Sequence, residues 1–321
     1  MTLPRIGVTL GDPGGIGPEI ILKTFAGKER LPAADYIIFG SSALLKKEEK
    51  ALGIHLPLFP PDKGKLSRRS LTVHEIEAPP RSGKRGMPSA ENGAASFLFF
   101  QTALKEAREG RLQAVVTAPV SKTSWALAGL RWRGHTDYLA PLYPRAIMAF
   151  WSSKLKVALL SHHLPLRDAL KKIKRKDLLD FFLSLHFSLK NLRPEGFDFL
   201  VAGLNPHAGE EGLLGREEVE EIAPAVRAAQ KRGLRIRGPY PPDVIFRSAV
   251  GRKDAFVIAL YHDQGLIPFK LAAFDTGVNV SLGLPFVRTS PDHGTAFDIA
   301  GKNAASPKSL IAAIRLAALL R

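Results

Sequence analysis

The chain has no cysteine among its 321 residues. Disulfides and thiolate metal centres are therefore excluded, and any zinc must be held by imidazole or carboxylate. No window approaches 18 uncharged apolar residues, so no membrane-spanning helix is expected. The start, MTLPRIGVTLGDPGG, lacks the basic head and long apolar core of a secretory signal, and a cytoplasmic protein is the expectation. Internal repeats, low-complexity segments and zinc-finger, RRM or KH patterns are missing as well. The glycines at 11, 14, 15 and 17 do not make G-x-G-x-x-G, which rules out a dinucleotide fingerprint at that turn.

Acidic residues are in deficit, 30 against 46 Lys and Arg, giving a net charge of +16. The basic clusters at 46–50, 63–69, 81–85 and 171–176 have few aromatic neighbours. They read as solvated surface that steers an anionic substrate, not as a nucleic-acid interface. With 45% hydrophobic residues, a chain of this length can build two domains with substantial cores.

Apolar runs at 6–10, 36–39, 114–117, 146–151, 156–160, 198–202 and 256–259 read as strands. Helical periodicity marks 94–109, 167–190 and 216–232, and the last opens acidic and ends Lys231-Arg232-Gly233, as the helix dipole favours. Alternating strands and helices predict an α/β fold with a largely parallel sheet. The Pro/Gly-rich stretch 57–86 reads as loops and strands near the sheet edge.

Three histidines, His163, His207 and His262, each follow an apolar run: 156–160, 197–204 and 255–260. Strand ends of a parallel sheet open onto one side, where three imidazoles would make a divalent-metal site with an open position. The chain has nine histidines, and an isolated surface role is the alternative for each. The turn GDPGGIG at 11–17, followed by Pro18-Glu19, offers close ligand approach and backbone N–H groups for an anion or a cofactor's phosphates. Steric need alone is the competing explanation for its glycines. In Gly134-His135-Thr136-Asp137, His135 and Thr136 offer donors to phosphate or carboxylate, unless Thr136 is simply a helix cap. The segment 261–301 is short of helical pattern and carries His262, Lys270, Asn279 and Arg288. Lysine and arginine are the usual phosphate partners, and Asn279 adds a donor.

Longer motifs then accumulate: GDPGGIGPE (11–19), PSAENG (88–93), TAPVSK (117–122), GHTDYLA (134–140), HLPLRD (163–168), LNPHAGEEGLLGREE (204–218), PPDVIF (241–246), YHDQGLIPFK (261–270) and GVNVSLGLPFVRTSPDHGTAFDIAG (277–301). Nearly end to end, the chain resembles the 4-hydroxythreonine-4-phosphate dehydrogenases of pyridoxal phosphate biosynthesis. GDPGGIGPE and HGTAFDIAG also resemble segments of isocitrate and isopropylmalate dehydrogenases.

The resemblance implies two α/β/α domains with mostly parallel sheets and an interdomain active-site cleft, as in isocitrate and isopropylmalate dehydrogenases. It divides the chain into 1–125 plus 276–321, and 126–275, the second carrying most metal ligands and the interface of a homodimer. It assigns a divalent cation (zinc, magnesium or cobalt) to His163, His207 and His262, drawn from both subunits, with His162 set aside as the neighbour of the matching residue. Substrate contacts fall on His135, Thr136, Lys270, Asn279 and Arg288, while Asp243 and Lys122 are candidate proton acceptors. NAD or NADP would meet Gly294 and Asp298, although Phe297 and Ser306 stand where isocitrate-type enzymes often carry proline and asparagine. The implied activity is metal-dependent oxidation of 4-phosphooxy-L-threonine, then decarboxylation to 3-amino-2-oxopropyl phosphate in pyridoxine 5′-phosphate biosynthesis. The alternatives are a paralogue acting on erythronate or threonate 4-phosphate and, more remotely, a basic nucleic-acid-binding protein. A phosphate acyltransferase shares the broad fold but needs no strand-end histidines.

Overall fold

The computed structural model describes residues 3–61, 70–77, 85–193 and 195–321. The basic segments 63–69 and 81–84 lie outside them. The chain divides into two compact units, Met1–Pro144 with Leu284–Arg321, and Arg145–Gly283. Its crossings thus fall at 144/145 and 283/284, where the sequence reading has 125/126 and 275/276.

Elements are numbered along the chain. The first unit holds strands β1 (Arg5–Thr9), β2 (Asp35–Gly40), β3 (Leu58–Phe59), β4 (Leu71–Glu75), β5 (Ala114–Thr117) and β12 (Val287–Pro291). Its helices are α1 (Gly17–Ala26), α2 (Ser42–Leu52), α3 (Ala90–Arg108), α4 (Lys122–Leu127), α5 (His135–Leu139) and α11 (Lys308–Leu320). The strands lie in the order β3-β4-β2-β1-β5-β12, all parallel. Central strands such as β5, AVVT, are buried at every position, as a sheet covered on both faces requires. The stretch around 57–86 does supply strands near the edge, β3 at the edge and β4 beside it. Helix α3 begins four residues before its periodic pattern because the Ser89 hydroxyl caps it, accepting from Asn92 N at 3.2 Å.

The glycine-rich turn differs from its sequence reading, because residues 11–18 are all buried. Its N–H groups are consumed internally: Asp12 N donates to Pro119 O, Gly14 N to Asp12 Oδ1, Gly15 N to Asp12 O and Ile16 N to Thr295 O. A Cβ on Gly17 would come within 2.3 Å of Leu10 O. These glycines serve packing, and those amides hold no phosphate.

The second unit contains β6 (Ile147–Trp151), β7 (Lys156–Leu159), β8 (Asp198–Ala202), β9 (Ile236–Tyr240), β10 (Ala255–Ala259) and β11 (Val278–Leu282). Its helices are α6 (Leu166–Leu170), α7 (Arg175–Leu189), α8 (Ala223–Gln230), α9 (Pro242–Ala249) and α10 (His262–Ala273). The strand order is β11-β6-β7-β10-β8-β9. The four strands from β7 to β9 run parallel, whereas β6 is antiparallel to both its neighbours. The four residues between β6 and β7 permit only a hairpin, and the Ser152 hydroxyl closes it by accepting from Leu155 N at 3.0 Å. Val157, Val257, Leu159, Phe150 and Phe269 pack the core.

Two helical readings need correction. Segment 167–190 is two helices, broken where Lys174 is extended at φ −125°, ψ 139° and Ile173 turns inward. Segment 261–301 opens with a three-turn helix, α10, despite Gly265 and an internal Pro268. Tertiary packing overrides propensity there: Gly265 presses so closely on β7 and β10 that a Cβ would come within 3.0 Å of Leu159, Val157 and Ala259. Among the described residues no helix is long and apolar enough to cross a membrane.

Candidate active-site residues

In the first unit, His135 opens α5 after Gly134 and is 8% exposed. Its ring meets Phe100 edge-on at 4.5 Å and Trp125 at 5.7 Å between centroids. Burial pushes its pKa well below 6.5, and the nearby Arg288 charge adds to the effect. The ring is therefore neutral at pH 7, and its Nε2 is a buried atom with no hydrogen-bond partner among the described residues. Arg288, on β12, is 3% exposed; burial lowers its pKa to about 10, so it stays cationic near neutrality. One Nη2–H donates to Thr117 Oγ1 at 2.8 Å, fixing the fork against β5. A buried, held guanidinium beside a neutral imidazole suits a planar anion.

Thr136 lies inside α5 and does not cap it; the cap position is Gly134, and Asp137 Oδ2 accepts from Arg133 N at 2.9 Å. Lys122 is exposed in the first turn of α4. Gly294 and Asp298 are exposed on the loop before α11, and nothing lies within 4 Å of a Cβ on Gly294. That loop is tied to α1 by Ile16 N and by buried Glu19, whose Oε1 accepts from Ala305 N at 2.9 Å.

In the second unit the three histidines stand just past β7, β8 and β10. His163 and His262 are brought together, with ring centroids 5.7 Å apart. His163 is exposed with a left-handed backbone, φ 50°. His262 Nδ1–H donates to Asp263 Oδ1 at 2.6 Å, which leaves Nε2 as the lone-pair nitrogen. The sequence reading missed Asp263, although it sits beside its partner in YHDQG. His162 also joins the group, 5.3 Å from His163 between centroids. Burial first, then the charges of His163 and His262, lowers its pKa to about 4.

His207 occupies a separate feature. Residues 207–211 all have φ between 41° and 80° and form one left-handed turn. Each non-glycine residue there costs about 1–2 kcal/mol, a strain that tertiary contacts must offset. Among the described residues no three His, Cys, Asp or Glu side chains are grouped to hold an ion. Within one chain, His163 and His262 are the proposed ligands whose rings are in contact. The donors themselves suit a metal: imidazole nitrogen favours zinc or cobalt over magnesium.

Buried hydrogen bonds link the three strand ends. Leu160 N donates to Ala259 O at 2.8 Å and the Ser161 hydroxyl to Leu260 O at 2.8 Å. Gln264, 8% exposed, accepts from Leu260 N and donates to Gly203 O, each at 2.7 Å. The backbones before His163, His262 and His207 are thus tied together, through polar residues that no sequence pattern marked. Of the remaining candidates, Lys270 is exposed on α10 and Asp243 exposed in the first turn of α9. Asn279 lies on β11 with its Oδ1 buried and unpartnered among the described residues.

The two α/β units together have the fold of the β-decarboxylating dehydrogenases. Such an enzyme from Thermococcus kodakarensis shares that fold at TM-score 0.50 and 15% identity, over 98% of this chain and 82% of its own. More narrowly, the chain belongs to the family described as pyridoxal phosphate biosynthetic protein PdxA, whose model matches residues 32–317. It is 41% identical to the 4-hydroxythreonine-4-phosphate dehydrogenase of Aquifex aeolicus, over 97% of each chain. The crystal structure of the enzyme of that name from Klebsiella pneumoniae matches with TM-score 0.87 and 36% identity, covering 99% of this chain and 100% of its own. A protein of Symbiobacterium thermophilum, provisionally named D-threonate 4-phosphate dehydrogenase, is 38% identical over 99% of this chain and 96% of its own.

Proposed function

We propose that the chain oxidises 4-phosphooxy-L-threonine at its C3 hydroxyl with NAD(P)+, and that the resulting β-keto acid loses carbon dioxide to give 3-amino-2-oxopropyl phosphate. The reaction is the dehydrogenase step of pyridoxine 5′-phosphate biosynthesis, in the cytoplasm. The observation that carries this reading is the pairing of His163 with His262 at neighbouring strand ends, in a chain whose relatives are named for this dehydrogenase activity.

Arg288 and neutral His135, with Thr136, Lys270 and Asn279, bind the phosphate and carboxylate. Arg288 brings a desolvated fork that needs no reorganisation when the anion arrives. His135 stays a neutral hydrogen-bonding group across the physiological range, so phosphate binding there does not depend on its protonation. His163, His207 and His262 hold the divalent cation, which when bound supplies Lewis acidity that lowers a hydroxyl pKa. Asp263 fixes the His262 tautomer. Asp243 and Lys122 are the candidate proton acceptors. Gly294 and Asp298 meet the NAD or NADP ribose, where the Asp298 carboxylate would repel a 2′-phosphate and favour NAD.

The working form is a homodimer. Helix α10 and its C-cap residue Phe274 expose Ile267, Leu271 and Phe274 at 61%, 85% and 74%, spaced as one helical face. An apolar stripe of that size supports burial against a second copy, and Lys270 lies on it. The three-histidine set would then be drawn from both subunits.

The test is NADH or NADPH formation from 4-phosphooxy-L-threonine, and separately from D-threonate and D-erythronate 4-phosphates. Turnover of the amino acid supports the proposal, and turnover of the sugar acids alone overturns it. That second outcome is the reading favoured by the similarity to the Symbiobacterium protein.

A further inference from the structure

We propose that Glu218 is the positioning residue for His207, holding the left-handed turn that presents it. The inference rests on His207 being a metal ligand. Glu218 begins the helix that continues into α8, yet its carboxylate is only 2% exposed and points back to the end of β8. Oε1 accepts from Leu204 N at 2.7 Å and Asn205 N at 2.8 Å, and Oε2 accepts from Asn205 Nδ2 at 2.9 Å. Two backbone amides and a side-chain amide immediately before His207 therefore converge on one anion.

The same carboxylate fills the concave side of the turn. A Cβ on Gly209 would come within 2.7 Å of Glu218 Oε2, so the turn closes over the carboxylate only with glycine at its centre. Asn205 is doubly held, since Nδ2 also donates to Glu217 Oε2 at 2.8 Å. Further along, Leu214 N donates to Gly209 O and Leu213 N to Glu210 O, both at 3.1 Å. Four non-glycine residues in left-handed conformation would relax without such a clamp. Relaxation would swing His207 away from its presented position while leaving the sheet intact. Charge-assisted acceptance from three donors is what a neutral side chain of the same size lacks.

The experiment uses full-length protein and Co2+ alone, reading affinity by chelator competition and coordination by the visible d–d spectrum. Glu218→Gln keeps the volume but sets an amide against Asn205 Nδ2. It is expected to weaken Co2+ binding by roughly 10–100-fold, the usual cost of losing a ligand's supporting partner, and to alter the spectrum. Val226→Ala, a buried change on α8 away from the carboxylate, controls for lost stability and should leave affinity and spectrum unchanged. If Glu218→Gln melts earlier but binds Co2+ as the parent does, the positioning role is overturned. Should Glu218→Gln not fold, Asn205→Ala cuts the same contact from its more exposed side; weaker Co2+ binding supports the proposal and unchanged binding overturns it. His207→Ala separates the two readings: parent-like Co2+ affinity removes His207 as a ligand, and the proposal with it. Loss in His207→Ala without loss in Glu218→Gln overturns Glu218 alone.

Discussion

In the first unit His135 and Arg288 are 8% and 3% exposed, one neutralised by burial and the other pinned to Thr117. In the second, His163 and His207 are exposed on left-handed backbone, and His262 is 40% exposed beside a carboxylate. Within each unit the arrangement suits the ligand proposed for it. An anion gains most from a fork already stripped of water, because none of the reorganisation remains to be done. A metal ligand needs a projecting lone pair, and behind these histidines buried Glu218 and Gln264 hold the backbone at the strand ends.

Substitutions on either side put this contrast to work. The largest effect is expected from His262→Ala, which removes one of the paired imidazoles. Turnover should fall by roughly 10³-fold or more, with metal content falling in parallel and thermal stability nearly unchanged, as read by elemental analysis and calorimetry. Gln264→Leu should behave in the opposite sense. It leaves Leu260 N and Gly203 O buried without partners, at ~1–3 kcal/mol each, so denaturant unfolding should show roughly 2–6 kcal/mol lost. Arg288→Met should raise KM for the phosphorylated substrate by ~10–100-fold, from the loss of charged hydrogen bonds worth ~1.5–3 kcal/mol. Metal content should not change; if it does, the separation of roles is wrong.

The smallest effect is a pH dependence. His135 has a folded pKa below its ordinary 6.5. As pH falls below 6.5, the unfolded chain takes up a proton that the buried ring refuses, so unfolding free energy should decline in that range. His135→Asn should flatten the decline, as denaturant titrations at successive pH values would reveal.

Much of this was legible in advance. The runs before His163, His207 and His262 read as strands because buried parallel strands are continuously apolar, and β7, β8 and β10 stand there. Helix α10 was hidden, since glycine and proline at 265 and 268 break the local pattern while packing preserves the helix. The turn at 207–211 was hidden for the converse reason: only one of its five residues is glycine, so nothing local announces left-handed backbone. Glu218 and Gln264 looked like ordinary polar residues, because hydrogen bonds across 14 and 61 positions leave no trace in spacing.

By itself the sequence determined the class of fold, the family and the kinds of side chain available, through apolar periodicity and long shared motifs that act locally along the chain. Tertiary structure alone decided that the glycine-rich turn serves packing, that β6 runs antiparallel and that His135 is neutral. It also decided which histidines pair. Each of these depends on burial and on contacts between distant residues, and those exist only once the chain is folded.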